Sequence, residues 1–374
     1  MSTPERAVAR IDLGAVQRNC AHLKSQLAPD TKLCAVVKAD AYGHGDVWCA
    51  RAALEGGAEW LAVAAAAEAE ELRRHGIRAR ILVMGALTRE DARIALGSAA
   101  DVVAWDERFV AVLDEVARAD DVRANVHVKL DTGMGRLGAR DEAAARAVAE
   151  AVEAVDRLDL SGAMTHFATA DEPDDEHFQH QLDRFEPFAE ELRKGRKDLL
   201  VHAANSAATY RDRQAHFDMV RCGIAVYGLD PFHEDPAARG LEPALRLESY
   251  VAAVRRFEPG DSAGYGRRWQ AEVPTWVGTL PIGYGDGWRR GLTNNAEVLV
   301  RGRRHPLVGT VSMDNITIDL GPETDVEPGD RAVLIGDDGG ERILCEEVAR
   351  RLDTINYEIT CGLSPRVRRA HHSA

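Results

Sequence analysis

Short β-branched and apolar runs alternate with Ala-, Glu- and Arg-rich stretches from residue 33 to about residue 230, and this alternation constrains the chain more than any other feature. Parallel βα units have this texture: a strand covered on both faces is apolar throughout, while the crossover helix is apolar on one face only. The runs are Leu33–Lys38, Trp60–Ala64, Arg80–Met84, Asp101–Trp105, Asn125–Leu130, Leu160–Thr165, Leu200–Ala203 and Val220–Val226. Helical segments such as Ala66–His75, Asp141–Val155 and Glu176–Leu192 lie between them. Eight strand–helix units predict an α/β fold with an N-terminal (β/α)8 barrel of TIM type. Upstream, Leu13, Val16, Leu23 and Leu27 fall on one face of a helix that begins near the cap residue Asp12. That helix is expected outside the barrel.

From about Leu241 the texture changes to strands broken by Gly and Pro turns such as Glu258-Pro259-Gly260-Asp261 and Glu327-Pro328-Gly329-Asp330, interrupted by one helix, Cys345–Leu352. The expected division is a barrel domain over 1–240 and a mainly β C-terminal domain over 241–374. Lys and Arg total 47 against 61 Asp and Glu, a net charge of −14, and the basic residues are scattered, so nucleic acid is not an expected partner. The segment Met1–Arg6 is too polar for a leader, and the longest apolar run, Trp60–Ala67, is too short to span a bilayer. The expected setting is the cytoplasm, without membrane contact. The six cysteines, Cys20, Cys34, Cys49, Cys222, Cys345 and Cys361, occur singly and read as small apolar residues rather than a disulfide framework.

Barrels of this type gather their chemistry at the C-terminal ends of the strands. Polar residues occur where that rule puts them: Lys38 after the first run, Lys129 and the loop Asp131–Gly138 after the fifth, His166 after the sixth, Asn205 and Ser206 after the seventh, and Arg221–Ile224 at the eighth. A lysine ending an apolar strand has two readings, a structural side chain that snorkels to water or a desolvated amine suited to a Schiff base. The residues alone leave both open.

The stretch AVVKADAYGHG (35–45) closely resembles the cofactor-lysine motif of alanine racemases. Further segments resemble that family in the same order: VKLDTGMGRLG (128–138), GAMTHFA (162–168), ANSAAT (204–209), RCGIAVYG (221–228), PIGYGDGW (281–288), VSMDN (311–315) and INYEI (355–359). The resemblance spans essentially the whole chain. It implies a pyridoxal 5'-phosphate enzyme that interconverts L- and D-alanine, with Lys38 carrying the cofactor and acting as one base.

It also implies that Tyr42, Ser206, Gly223, Ile224 and Tyr357 surround the phosphate, where amides and hydroxyls can cradle an anion. Arg221 is implied at the pyridine nitrogen, with His166 beside the ring and bonded to that arginine. A guanidinium does not readily give up a proton, so the ring nitrogen would stay unprotonated, which favours racemisation over transamination. By the same resemblance Arg136 and Met313 border the substrate, and Lys129 is a candidate for carbamylation. Racemisation needs an acid and a base on opposite faces of the α-carbon, and Tyr265 is implied as the second base, reaching the barrel mouth of a neighbouring subunit in a homodimer. Two positions depart from the family: Cys222 stands where proline is common and Ser312 where cysteine is common.

Three other readings remain open at this level. A metal-dependent barrel hydrolase lacks its His-x-His motif here, and His177-Phe178-Gln179-His180 reads as a solvated helix face, so no metal is expected. A non-catalytic pyridoxal-phosphate-binding barrel would lack the β domain that carries Tyr265, Met313 and Tyr357. A racemase for serine or for a wider range of amino acids would differ only in pocket width.

Overall fold

The computed structural model describes residues 5–373. Met1–Pro4, part of the segment read above as too polar for a leader, lies outside the described residues. The chain forms two compact units, one over Val16–Val226 and one that joins the N-terminal segment through Ala15 to everything from Tyr227 onward.

The first unit is the expected barrel. Its strands are Lys32–Val36, Trp60–Val63, Arg80–Val83, Asp101–Ala104, Ala124–Lys129, Leu158–Met164, Leu200–His202 and Met219–Cys222. The first seven pair in parallel in chain order, and the last pairs with the first, with Cys34 opposite Arg221. The remaining seam is closed by Asp218 N–H to the Val201 carbonyl at 3.0 Å and Arg221 N–H to that of Ala204 at 2.9 Å. Crossover helices such as Glu107–Ala119, Glu142–Glu153 and His177–Arg193 bury one face each; in the last, Phe178, Leu182, Phe185, Phe188 and Leu192 recur at helical spacing and are buried. The helix Leu13–Gln26 buries Val16 and Leu23 fully, as its pattern requires.

All eight strands end before the apolar runs do, six of them by one residue and the first and last by more. The first stops at Val36, because residues 39–42 all adopt positive φ, and the last stops at Cys222, where Gly223 opens the 3-10 turn Ile224–Tyr227. Apolar side chains continue through both turns, so hydrophobicity alone does not mark the boundary.

In the second unit a seven-stranded sheet runs in the order Arg303–Pro306, Glu297–Val300, Arg331–Asp338, Leu245–Tyr250, Val8–Asp12 and Arg368–His372, with Glu341–Ile343 on the edge of Arg331–Asp338. A separate three-stranded antiparallel sheet contains Ala253–Phe257, Thr275–Leu280 and Ile316–Gly321. Besides the short helix Asn356–Cys361, strand Val8–Asp12 is an element the periodicity does not reveal. It is five residues long and lies antiparallel to Leu245–Tyr250 on one side and parallel to Arg368–His372 on the other. Ile11 is fully buried in that strand, which is paired on both sides. Ile11→Ala is therefore expected to destabilise this unit by about 2–5 kcal/mol. Guanidinium unfolding followed by tryptophan fluorescence checks this; an unchanged midpoint would show that the strand is dispensable.

Candidate active site

Residues 39–42, directly after Lys38, are held in one turn of left-handed helix: Ala39, Asp40, Ala41 and Tyr42 have φ of 52–55°. Each non-glycine residue pays a steric cost there, so the turn persists only because its surroundings over-determine it. Glu68 is the main clamp. Its carboxylate accepts the N–H of Ala39 at 2.6 Å while also capping its own helix through the N–H groups of Ala64 and Ala65 at 2.8 and 3.0 Å. The Asp40 carboxylate accepts the N–H of Asp46 at 3.1 Å and fixes the exit of the turn. Lys38 Nζ comes to lie 5.9 Å from the centre of the Tyr42 ring.

Tyr42 is buried, and its hydroxyl approaches the backbone at Gly223: a β-carbon on Gly223 would fall 2.2 Å from that oxygen. Ser206, the first residue of the short helix Ser206–Arg211, accepts the N–H of Gly223 at 2.9 Å and that of Ala225 at 3.4 Å. Tyr42, Ser206, Gly223 and Ile224 are thus gathered at the end of the last barrel strand. Cys222 is buried and its sulfur lies 3.5 Å from the Thr209 hydroxyl, so the thiol is engaged in packing the strand against that helix.

Arg221 projects into the barrel and is almost wholly buried, and among the described residues it has no carboxylate partner. Nη2 donates to the carbonyls of Thr165 and Ala203, both at 2.9 Å, and lies 3.2 Å from Nδ1 of His166; Nη1 lies 2.8 Å from Nδ1 of His202. Burial lowers its pKa to about 10, which leaves it charged at neutral pH. Burial and then the charges of Arg221, Lys129, Arg136 and Lys38 hold His166 well below the ordinary histidine value, so it sits there as a neutral acceptor. Lys129 is buried on the neighbouring strand, and burial together with Arg221, Arg136 and Lys38 lowers its amine to about 8, against the weaker pull of Asp131.

The loop after Lys129 is built around Asp131, whose carboxylate accepts the N–H groups of Gly133 at 3.1 Å and Gly135 at 3.0 Å. Burial pushes this carboxyl up, but those amides and Arg140 outweigh it and leave it below the usual range. Buried Gln181 ties the loop to the next strand end, donating to Thr132 Oγ1 at 3.1 Å and the His166 carbonyl at 3.0 Å and accepting the N–H of Ala168 at 2.8 Å. Arg136 itself is exposed. His177 lies 3.2 Å from the Gly133 carbonyl and His180 is exposed; among the described residues no three His, Cys, Asp or Glu side chains gather so as to hold a metal ion.

The second unit carries Tyr265, Met313 and Tyr357. Tyr265 opens the turn Tyr265–Arg267, is 74% exposed, and lines a 340 Å³ cavity with Gly264, Thr310, Ser312 and Asn315. Its carbonyl accepts the Thr310 hydroxyl at 2.6 Å. Ser312 closes a local turn, its hydroxyl donating to the Asn315 carbonyl at 2.8 Å and accepting the Asn315 N–H at 3.0 Å, and Met313 beside it is half exposed. The glycine-rich turn supports this loop: Tyr284 and Gly285 N–H donate to the carbonyls of Ser312 and Met313, and a β-carbon on Gly283 would meet the Ser312 carbonyl at 2.2 Å. Buried Asp286 anchors the turn through Arg6 and Arg366, and Arg366 also holds Asp314. Tyr357 lies on the short helix Asn356–Cys361, its ring 6.3 Å from that of His233.

The description "Alanine racemase, N-terminal domain" matches residues 11–231, and "Alanine racemase, C-terminal domain" matches residues 244–371. The chain belongs to the alanine racemase family. It is 43% identical over 362 residues to the alanine racemase of Symbiobacterium thermophilum, covering 96% of each chain. Among solved structures, the alanine racemase of D-cycloserine-producing Streptomyces lavendulae superposes with a TM-score of 0.94 at 37% identity, covering 100% of this chain and 98% of that one. The Bacillus anthracis alanine racemase solved with bound L-Ala-P gives 0.91 at 37% identity, covering 100% and 96%.

Alanine racemases depend on pyridoxal phosphate. The barrel unit of this racemase fits that group on its own geometry: a glycine backbone that must lack a β-carbon to admit a tyrosine hydroxyl, a serine that accepts the amides of Gly223 and Ala225, and a buried guanidinium paired, among the described residues, with neutral acceptors. Glu68 and Gln181 escaped the sequence reading, and the glycine turn at 283–287 entered it only as part of a family-like segment. Only Glu68 carried a visible signal, an acid three residues after a helix cap. Loss of its charge-assisted bond to Ala39 is worth about 1.5–3 kcal/mol. Glu68→Ala should therefore weaken pyridoxal phosphate retention by roughly tenfold to a hundredfold, read by dialysis against cofactor-free buffer with circular dichroism as a control for folding. Retention equal to the parent would show that the turn after Lys38 needs no clamp.

Proposed function

We propose that this racemase interconverts L- and D-alanine, with Lys38 acting on one face of the α-carbon and Tyr265 on the other. The observation that carries the reading is Arg221, a buried guanidinium whose partners are two carbonyls and two histidines rather than a carboxylate. Pyridoxal phosphate, when bound, supplies a carbonyl for the lysine and a conjugated ring that accepts the electrons released with the α-proton. Arg221 orients the ring and keeps its own protons, which limits that acceptance and suits proton exchange over amino-group transfer. Tyr42, Ser206, Gly223, Ile224 and Tyr357 bind the phosphate. His166 lies beside the ring, and Arg136 and Met313 border the substrate.

Incubation with L-alanine, and separately with serine and other amino acids, followed by chiral chromatography tests the reading. Approach of alanine to equal enantiomers from both directions is the expected result; faster serine turnover would make the enzyme a serine or broad racemase, and no turnover in the cofactor-loaded protein would leave a non-catalytic binder. The cellular role we assign is supply of D-alanine for peptidoglycan from the cytoplasm; no helix among the described residues is long and apolar enough to cross a membrane.

Lys129 is the proposed site of carbamylation. The neutral amine attacks carbon dioxide, one N–C bond forms and one proton leaves, and the resulting anion offsets the cations Arg136 and Arg221. With its pKa at about 8, roughly a quarter of the amine is neutral at pH 7.5, against about a thousandth for an ordinary lysine. Occupancy should therefore rise with pH through that value at fixed dissolved carbon dioxide. Carbon-13 NMR with labelled bicarbonate checks this, and a resonance that persists in Lys129→Ala would rule the site out.

We also propose a homodimer with composite sites, in which Tyr265 and Met313 of the β unit serve the barrel of the partner. Their exposure is support: Tyr265 is 74% and Met313 51% exposed, an unusual state for large side chains in a working site. In a two-fold dimer of Lys38→Ala with Tyr265→Ala, one site would carry both lesions and the other neither, so about half of the activity should return. A verified heterodimer no more active than its parents would reject sharing.

A further inference from the structure

Barrel interiors are normally filled by layers of branched apolar side chains, yet here a line of polar groups runs from the floor towards the mouth. Asp101, the first residue of its strand, is buried; its Oδ2 lies 2.5 Å from Nη2 of Arg80 and 3.0 Å from Nε2 of His127, and its Oδ1 accepts Asn125 Nδ2 at 3.2 Å. Nδ1 of His127 lies 2.8 Å from Nε2 of His202, and Nδ1 of His202 lies 2.8 Å from Nη1 of Arg221. Both histidines are fully buried.

The two ends fix the direction of every link. A guanidinium has donors only, so His202 Nδ1 must be bare and accept from Arg221. Neutral His202 then carries its proton on Nε2 and donates to His127, whose Nδ1 must also be bare. His127 in turn carries its proton on Nε2 and donates to the carboxylate, which can only accept. No other arrangement of protons satisfies all three contacts, and a second proton on either ring would set donor against donor.

We propose that Asp101 is a positioning residue for Arg221, acting through His127 and His202, whose fixed tautomers aim the guanidinium and lend it part of the negative charge of the distant carboxylate. Aligned hydrogen bonds polarise one another in a low-dielectric interior. Burial and the charge of Arg221 keep His202 well below the ordinary histidine value, which agrees with a ring that never takes a second proton. In taking Arg221 as the group at the cofactor ring, the kinetic part of the inference rests on the function proposed above; the proton arrangement does not.

Nitrogen-15 NMR of the cofactor-loaded protein, labelled at histidine, tests the arrangement directly. His127 and His202 should both appear as neutral rings protonated on Nε2; a ring protonated on Nδ1 at either position overturns the proposal, whatever any variant does. Asp101→Asn keeps the shape but removes the negative charge, and its amide N–H must face Arg80 and His127, both donors, or Asn125, which accepts it only after its own amide flips. It should shift the His127 tautomer and lower kcat about tenfold with KM within twofold, whereas Val103→Ala, a cavity on the same strand, should lower the melting temperature and move neither tautomer. An Asp101→Asn enzyme with parental kcat and unchanged histidine signals would also overturn it. A protein inactive on alanine that shows both expected tautomers would refute the proposed function and uphold the chain of bonds.

Discussion

A positive charge buried in the barrel without an opposing carboxylate is the constraint around which this molecule is organised. An isolated ion in a protein interior costs several kcal/mol even after relaxation, and Arg221 offsets that cost with dipoles: two strand-end carbonyls, a neutral histidine from the sixth strand and another from the seventh. Those groups converge only if the barrel closes in register, with Arg221 opposite Cys34 and its own N–H bonded to Ala204. Closure of the sheet and solvation of the charge are thus one condition. They place the guanidinium on the strand that leads into Gly223, so the cationic end and the proposed anion cradle are set by a single short segment.

The cradle depends in turn on strain held elsewhere. Four successive non-glycine residues at positive φ would not persist as a free peptide, and the clamp on them is a helix-capping carboxylate that has one oxygen to spare. Glu68 therefore couples an ordinary local rule of helix initiation to the placement of Lys38 and Tyr42. The same economy recurs at Asp131 and Asp286, each a buried acid that organises a glycine-containing turn by accepting its amides. Burial first, and then the cations crowding the mouth of the barrel, depress the basicity of Lys129 and His166, which is what the proposed carbamylation of Lys129 needs.

Much of this was legible in the amino-acid order. Eight apolar runs at strand length predicted the eight barrel strands, and strand-end polarity marked Lys38, Lys129, His166, Ser206 and Arg221 before any contact was known. The resemblance in motifs added Tyr265, Met313 and Tyr357, which no periodicity distinguishes from other exposed or packed residues. What stayed hidden were contacts between residues far apart in sequence. Strand Val8–Asp12 is too short to show a period, and its partners lie more than two hundred residues away. Asp101, His127 and His202 each looked like an unremarkable residue within a strand, because nothing local says which of them will face one another across a barrel.

The sequence by itself determined the barrel, the β-rich second unit and the chemical types present at the strand ends, since those follow from local periodicity and from the rule that strands deliver side chains to one rim. Tertiary structure alone decided which strand Arg221 would lie against, which proton each buried histidine carries, and that a glutamate from the helix after the second barrel strand would hold the turn after Lys38. Hydrogen bonds are directional and act over about 3 Å; a pattern along the chain can specify which groups are available to form them, but only the closed barrel brings donor and acceptor to that distance.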